Sequence, residues 1–420
     1  MNHLISWVKF AARNLLRNKR RSVVTIAAAA LGFAAVNVFG GFTNYLFVNL
    51  RDAFIYVLGN GHVQIYVSGY NEHGTSDPDR YLLNADTFRQ LQEIGEEDPR
   101  ILLTTGSIDV SGQIDTGDKA NIFIGRAITP SHREEMLKNA KTLTSGFSLL
   151  GEGEQLTDDD PYQIGVATGM QETLELELGA DIVLMARTLD GQLNVVDAIV
   201  KNTFSSPTQD LSDKLIAIPL ELAQELYQTD RVGSVSMMLR SRHDVPAIQQ
   251  LLTEKLKDAD QTLTISTWDT ESDLYKLTRN MFDMIFGMVF LILIVIVTMS
   301  VMNTMSMAIM ERTTEIGTLR ALGLKRRGVI GLFGIEGLLL GVIGSLIGML
   351  VTFGVYMTVQ ILEPQWTPPT IARKMQLEIR LVPHYLCLTF FFLAVLTLAA
   401  AIIPARRAAK GGIVEALGHV

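Results

Sequence analysis

The chain has 420 residues, 48% of them hydrophobic, with 36 Lys and Arg against 44 Asp and Glu, a net charge of −8. Residues 51–280 hold 19 basic and 37 acidic side chains, and the remainder holds 17 and 7, so an acidic segment of net −18 lies between basic flanks of net +10. With no basic face to meet phosphates, nucleic-acid binding is excluded, and the single cysteine, Cys387, rules out an intrachain disulfide.

Residues 1–21 open the chain. Leu4, Val8, Ala11, Ala12, Leu15 and Leu16 recur at helical spacing, and Lys9, Arg13, Arg17, Lys19, Arg20 and Arg21 supply six positive charges. This predicts an amphipathic helix on the cytoplasmic membrane surface, with Trp7 at headgroup level. An ordinary basic flank that sets orientation is compatible with it. Ser22–Leu50 then runs without a single charge, long enough to cross about 30 Å of hydrocarbon. It is too long for a signal-peptide core and is expected to remain as an anchor, transmembrane helix 1 over residues 22–50.

Residues 51–280 predict an α+β domain on the far side of the membrane. His62–Val67 alternates as a strand, and Asp86–Ile94 reads as a helix with Phe88, Leu91 and Ile94 on one side. Ser107–Asp115 and Lys119–Ile128 read as paired strands around an Asp-Thr-Gly-Asp turn. Residues 169–186 predict a helix ending near Gly179 and then a strand, and Asp190-Gly191 marks a hairpin into Leu193–Phe204. Residues 215–228 read as strand then helix, 234–241 as a strand, Val245–Leu256 as a helix and 263–268 as a closing strand. The acidic run Gly151–Pro161, with Asp158, Asp159 and Asp160, lacks calcium-loop spacing and is expected as a solvated loop.

Met284–Met310 is uncharged throughout and predicts transmembrane helix 2 over 281–310. Met281, Met284 and Met288 share a face near its outer end, where flexible thioethers suit varied apolar cargo or, equally, ordinary helix packing. Residues 311–327 follow, ERTTEIGTLRALGLKRR, a short charged helix with Gly323 as its stop. It reads as a handle for something in the cytoplasm, or as no more than a positive turn between spans. Gly337–Leu362 is again uncharged throughout and predicts transmembrane helix 3 over 328–360. Gly337, Gly341, Gly344 and Gly348 give two GxxxG spacings, a signal for close helix packing or dimerisation. Glu336 is costly in lipid and is expected against protein or at the water boundary. Residues 361–384 form a short outer loop, unexpectedly basic at Arg373, Lys374 and Arg380. Tyr385–Ala405, the last uncharged run, predicts transmembrane helix 4 over 385–404, stopped by Pro404, with residues 405–420 as a cytoplasmic tail. The predicted fold class is an α-helical membrane domain of four transmembrane helices, with a large α+β extracytoplasmic domain inserted between helices 1 and 2.

The chain contains no GxxxxGK[ST], HExxH, GxSxG or Cys/His metal spacing. No catalytic, cofactor or metal site is therefore expected in it. Sparse charge within the spans also argues against an ion path.

The layout of one span, a large domain and three more spans resembles the FtsX-like or MacB-type ABC transporter permeases, a group that includes the lipoprotein-releasing permeases. The residues that carry it are RNLLRNKRRS before helix 1, ERTTEIGTLRALGLKRR after helix 2 and PARRAAKGGIVEAL at the end, with EIGTLRALG the most specific string. Gly411-Gly412 stand where the family usually has a polar residue and proline. The resemblance implies a non-catalytic subunit in a bacterial inner membrane, with its soluble domain in the periplasm. Its implied partners are a second permease copy, identical or not, two ABC ATPase subunits that bind ATP and Mg, membrane lipid and a periplasmic carrier or adaptor. Glu311, Arg312, Glu315, Ile316, Leu319, Arg320, Leu322 and Gly323 become the expected ATPase-coupling residues. The implied work is mechanical release of a lipid-linked or amphipathic substrate, such as a lipoprotein or lipid, from the outer face of the membrane. Envelope signalling and drug or toxin efflux are the alternatives.

Overall fold

A computed structural model describes residues 7, 11, 13–15, 17, 19–74, 77–140, 150–206, 209–257, 259–271, 273–366 and 375–410. The tail residues 411–420, Arg373, Lys374 and most of the apolar face expected over residues 4–16 lie outside them. The chain divides into two compact units: Met1–Leu46 with Thr278–Pro364 and Leu377–Val420, and Phe47–Leu277 with Gln365–Gln376. The principal helices are α1 (Lys19–Asp52), α2 (Ala85–Glu97), α3 (Pro130–Asn139), α4 (Thr168–Leu174), α5 (Leu220–Tyr227), α6 (Val245–Lys255), α7 (Asp273–Glu311), α8 (Thr313–Ala321), α9 (Arg326–Leu362) and α10 (Pro383–Lys410).

Among the described residues four helices are long and apolar enough to cross a membrane: α1 with its π-helical extension to Val57, α7 from Tyr275, α9 and α10. Their buried side chains form one cluster, including Phe33, Val297, Val301, Phe333, Leu340 and Leu393. Pro404 does not stop the last helix, which runs on to Lys410. A proline withholds one N–H from the ladder, and a helix held by its neighbours tolerates that loss; Pro404 is buried, between buried Ala401 and Ala405. Hydroxyls add a polar tie between α1 and α7, where Thr25 meets Thr304 at 2.6 Å and accepts from Ser300 at 3.2 Å.

The second unit is built on strands β1 (Val63–Val67), β2 (Ile101–Asp115), β3 (Ala120–Ile128), β4 (Leu150–Gly153), β5 (Gln163–Ala167), β6 (Asp181–Arg187), β7 (Leu193–Phe204), β8 (Leu215–Ile218), β9 (Ser234–Leu239) and β10 (Leu263–Thr267). They form one mixed sheet in the order β10-β1-β9-β2-β3-β8-β5-β7-β4, with β6 pairing β2 and β7. The expected hairpin is present, with Ser107 opposite Ile128 and Asp115 opposite Ala120. The second hairpin turns at Gly191, which holds φ +81, and pairs Arg187 with Leu193. Leu91 and Ile94 of α2, Leu222 and Leu226 of α5 and Ile248 and Leu252 of α6 share one core with Ile108, Phe123, Leu184 and Val235 of the sheet.

Two local expectations are corrected. The helix expected to end near Gly179 stops at Leu174, because Glu175 adopts the left-handed conformation at φ +54; Gly179 serves a separate turn at φ +87. The acidic run is not all loop, since Leu150–Gly153 pairs with β7. Its Asp158 accepts a 2.9 Å hydrogen bond from the Ser131 N–H in the first turn of α3, a donor the helix itself leaves unpaired.

His62 leads into β1 and is buried against the Tyr56 ring. Its Nδ1 accepts from the Leu239 N–H at 3.1 Å, so the imidazole is neutral there. Burial, and then the charge of Arg51, push its pKa down from 6.5 to about 4. A folded state that binds fewer protons loses stability as pH falls from 6.5 towards 4, on the order of 3 kcal/mol in all. His62→Gln should flatten that dependence. Thermal midpoints of both proteins at pH 7.5 and pH 5 check this, and equal slopes would refute it.

Candidate functional site

The site forms where α7 gives way to α8. The helix breaks at Arg312, whose φ −116 and ψ 17 leave the helical region, and α8 restarts at Thr313. The charged segment is therefore a helix separate from α7. The break turns the Arg312 side chain inward, where 6% of the residue is exposed, and brings it to Glu336, only 1% exposed. Arg312 Nη1 donates to Glu336 Oε1 at 3.2 Å, Asn14 Nδ2 donates to the same oxygen at 2.6 Å, and Arg312 Nη2 donates to the Asn14 carbonyl at 3.4 Å. The three residues close a ring that neutralises two buried charges. Without such partners a carboxylate would be costly at this depth.

Two exposed ion pairs extend the ring. Arg17 meets Glu315 at 3.2 Å and Arg21 meets Glu311 at 2.5 Å. Asn14, Arg17 and Arg21 are three and four residues apart, so one face of the N-terminal arm carries all three contacts. At such exposure each ion pair contributes roughly 0–1 kcal/mol. The buried ring, whose disruption strands a charge, is the stronger tie.

The geometry sorts the expected coupling residues. Arg312 and Ile316 are buried, the latter 7% exposed, so neither presents a docking surface; Gly317 is buried beside Ile316. Both had been expected on the contact face because a single helical repeat cannot tell which side its neighbours cover. Glu311, Glu315, Leu319, Leu322 and Gly323 are exposed, and Arg320 is partly so. Leu322, 81% exposed, stands at the end of α8. There Gly323 turns at φ +99, and the Leu324 N–H reaches the Leu319 carbonyl at 3.0 Å. Leu322 is an apolar side chain with no cover from the rest of the described chain on most of its surface, and Leu319 beside it is 37% exposed.

The glycine ridge is used within the chain. A Cβ on Gly337 would stand 2.8 Å from the Thr397 carbonyl, and one on Gly341 3.1 Å from that of Leu393, both on α10. A Cβ on Gly344 would stand 2.6 Å from Ala29 Cβ, and one on Gly348 2.8 Å from the Ala30 carbonyl, both on α1. Each GxxxG pair thus seats a different helix. Of the two uses expected for these four residues, close helix packing or dimerisation, these contacts are packing within the chain.

Met281, Met284 and Met288 are exposed at 47%, 63% and 59% along α7. The Trp7 ring lies 3.2 Å from where a Cβ of Gly331 would be, seated in a notch that glycine leaves on α9. Arg380, one of the basic residues expected in the outer loop, has a structural use. Its guanidinium covers the Tyr45 ring at 5.8 Å, and its N–H donates to the Gly41 carbonyl. Asn14 was missed by sequence reasoning, since an asparagine among basic residues gives no pattern. The only hint was Glu336 in an apolar helix with an arginine at the mouth of the preceding one.

Residues 287–413 match the family described as FtsX-like permease C-terminal. The chain is 22% identical over 352 residues to an uncharacterised ABC transporter permease of Methanocaldococcus jannaschii, covering 81% of each chain. It is 23% identical over 359 residues to the lipoprotein-releasing system transmembrane protein LolC of Neisseria meningitidis, covering 80% of this chain and 78% of that one. Among solved structures, the periplasmic region of MacB from Actinobacillus actinomycetemcomitans aligns at a TM-score of 0.36 and 14% identity, over 53% of this chain and 94% of that one. Residues 287–413 thus carry an FtsX-like permease domain, and the chain as a whole is similar to ABC transporter permeases.

Proposed function

We infer that this permease couples ATP hydrolysis on a separate ABC ATPase to the release of a lipid-linked or amphipathic substrate from the outer leaflet. The observation that carries this is α8. It is a short helix with exposed Leu319 and Leu322, anchored through Arg312 to a buried ring at the foot of α9. Its apolar tip supplies surface for a partner's groove, and Glu311 and Glu315 supply charge to set the register. Two ATPase copies, holding ATP and Mg, would close beneath two permease copies in a bacterial inner membrane. Glu336 is held in a closed ion ring, so it offers no ion path. The acidic unit, placed in the periplasm, would receive the cargo or hand it to a carrier or adaptor. The exposed methionines of α7 suit an apolar chain, because thioethers adapt to irregular shapes.

The test is purification of the full chain from its native membranes in mild detergent. An ABC ATPase should co-purify in a one-to-one ratio, and its hydrolysis should rise with lipid-linked substrate in reconstituted vesicles. A chain that purifies alone, or hydrolysis indifferent to any amphipathic substrate, would overturn the assignment.

A further inference from the structure

We propose that Asn14, Arg312 and Glu336 are positioning residues that fix the direction of α8, a role that deepens the coupling function proposed above and rests on it. The ring sits at the joint where α7 ends and α8 begins, and each of its three members comes from a different element. Glu336 belongs to the first turns of α9, Asn14 to the N-terminal arm, and Arg312 is the residue at which the backbone breaks. The Arg312 carbonyl also accepts the first hydrogen bond of α8, from the Ile316 N–H at 2.9 Å. One residue therefore sets the start of α8 by its backbone and ties it to two other elements by its side chain. A planar guanidinium can span both Glu336 and the Asn14 carbonyl, whereas a single ammonium is a point charge. The exposed pairs of Arg17 and Arg21 lie outside this joint and are weak by their exposure.

Such a joint makes the direction of α8 depend on a polar network and not on the packing of Ile316 alone. A hydrophobic substitute for the ion pair would fill the same volume but would lack the fixed donor–acceptor geometry. That difference separates positioning from mere stability.

Spin labels at Leu322→Cys and Arg407→Cys, on a Cys387→Ser background, place both probes at exposed sites of the helical unit. Pulsed dipolar measurements on the full chain in lipid nanodiscs then read the direction of α8 without any ATPase. The parent should give one narrow distance. Glu336→Gln should lose the narrow peak. Arg312→Lys should hold its thermal midpoint near the parent's and still lose part of the peak. The double variant Arg312→Met with Glu336→Met should match or exceed the parent's thermal midpoint while the distance stays broad. In the reconstituted complex, unlabelled and with Leu322 intact, the double variant should bind the ATPase but lose stimulation by substrate. A narrow peak in Glu336→Gln, or one restored in the double methionine variant, would show that packing alone directs α8 and would overturn the proposal. A broadened distance in Glu336→Gln, together with no ATPase binding by the unlabelled chain that keeps Leu322, would sink the coupling function and leave the positioning role standing.

Discussion

Leucine at Gly337 or Gly348 is expected to prevent the helical unit from assembling. At Gly337 the first added carbon meets Ala401 Cβ and lies 2.8 Å from the Thr397 carbonyl. At Gly348 it lies 2.7 Å from Phe33 Cβ and 2.8 Å from the Ala30 carbonyl. These obstacles are backbone and Cβ atoms, which cannot swing aside as the end of a long side chain can. The whole of α10 or α1 must back away, and overpacking at that level costs more than about 3 kcal/mol. The buried cluster that runs through Phe33, Leu340 and Leu393 would open with it. Gly354 lies on the same helix with nothing within 4 Å of its Cβ position, so Gly354→Leu should be tolerated. Detergent-resistant thermal midpoints and protease patterns of the three variants check this. Similar stability at 337, 348 and 354 would mean that the ridge does not seat the neighbouring helices.

Disabling α8 should leave an assembled membrane unit that no longer responds to substrate. Leu322→Asp puts a charge on the most exposed apolar side chain of the segment, where an interface anchor contributes about 2 kcal/mol or more. ATPase binding should fall roughly thirtyfold, as that energy implies, with the thermal midpoint of the chain unchanged. Glu315→Lys should abolish substrate-stimulated hydrolysis while the chain stays folded. Because Glu315 also meets Arg17, the double variant Arg17→Glu with Glu315→Lys restores an intrachain pair with its signs exchanged. Coupling that stays lost in the double variant places the action of Glu315 on the ATPase. Coupling that returns would instead place it in the N-terminal arm and remove Glu315 from the docking surface.

Much of this was legible in the residues. The four long uncharged runs admit few alternatives, because a buried helix of a water-soluble domain seldom does without charge for so long. Alternation in residues 107–115, apolar β-rich runs at 120–128 and 193–204, and the turn residues at 115–118 and 190–191 read as strands and hairpins for the same kind of reason, since one face of the sheet is buried and the register cannot slip. Less legible were the elements that depend on partners far away in the chain. The strand Leu150–Gly153 carries no alternation of its own and exists through β7. The parallel pairs β3–β8 and β5–β7 join segments that no local pattern connects. The early stop at Leu174 turned on one backbone conformation at Glu175.

The sequence by itself determined the class of protein. Hydropathy dictates spans, since a backbone in lipid must satisfy its own hydrogen bonds, and the charge split sets an acidic unit between basic flanks. Its glycine spacings stated that helices approach closely, and its short charged segment stated that something grips α8 or passes it by. Only the tertiary structure decided which helix fills which notch and which side of α8 is free. It also placed Arg312 among the buried ring members rather than on the docking face. Those choices turn on Asn14 and Glu336, which lie 322 positions apart, and on Arg312 and Glu336, which lie 24 apart. A helical period reports neighbours three and four residues away. The cost of an unpaired charge says that a buried glutamate must have partners, but only packing in three dimensions says which they are.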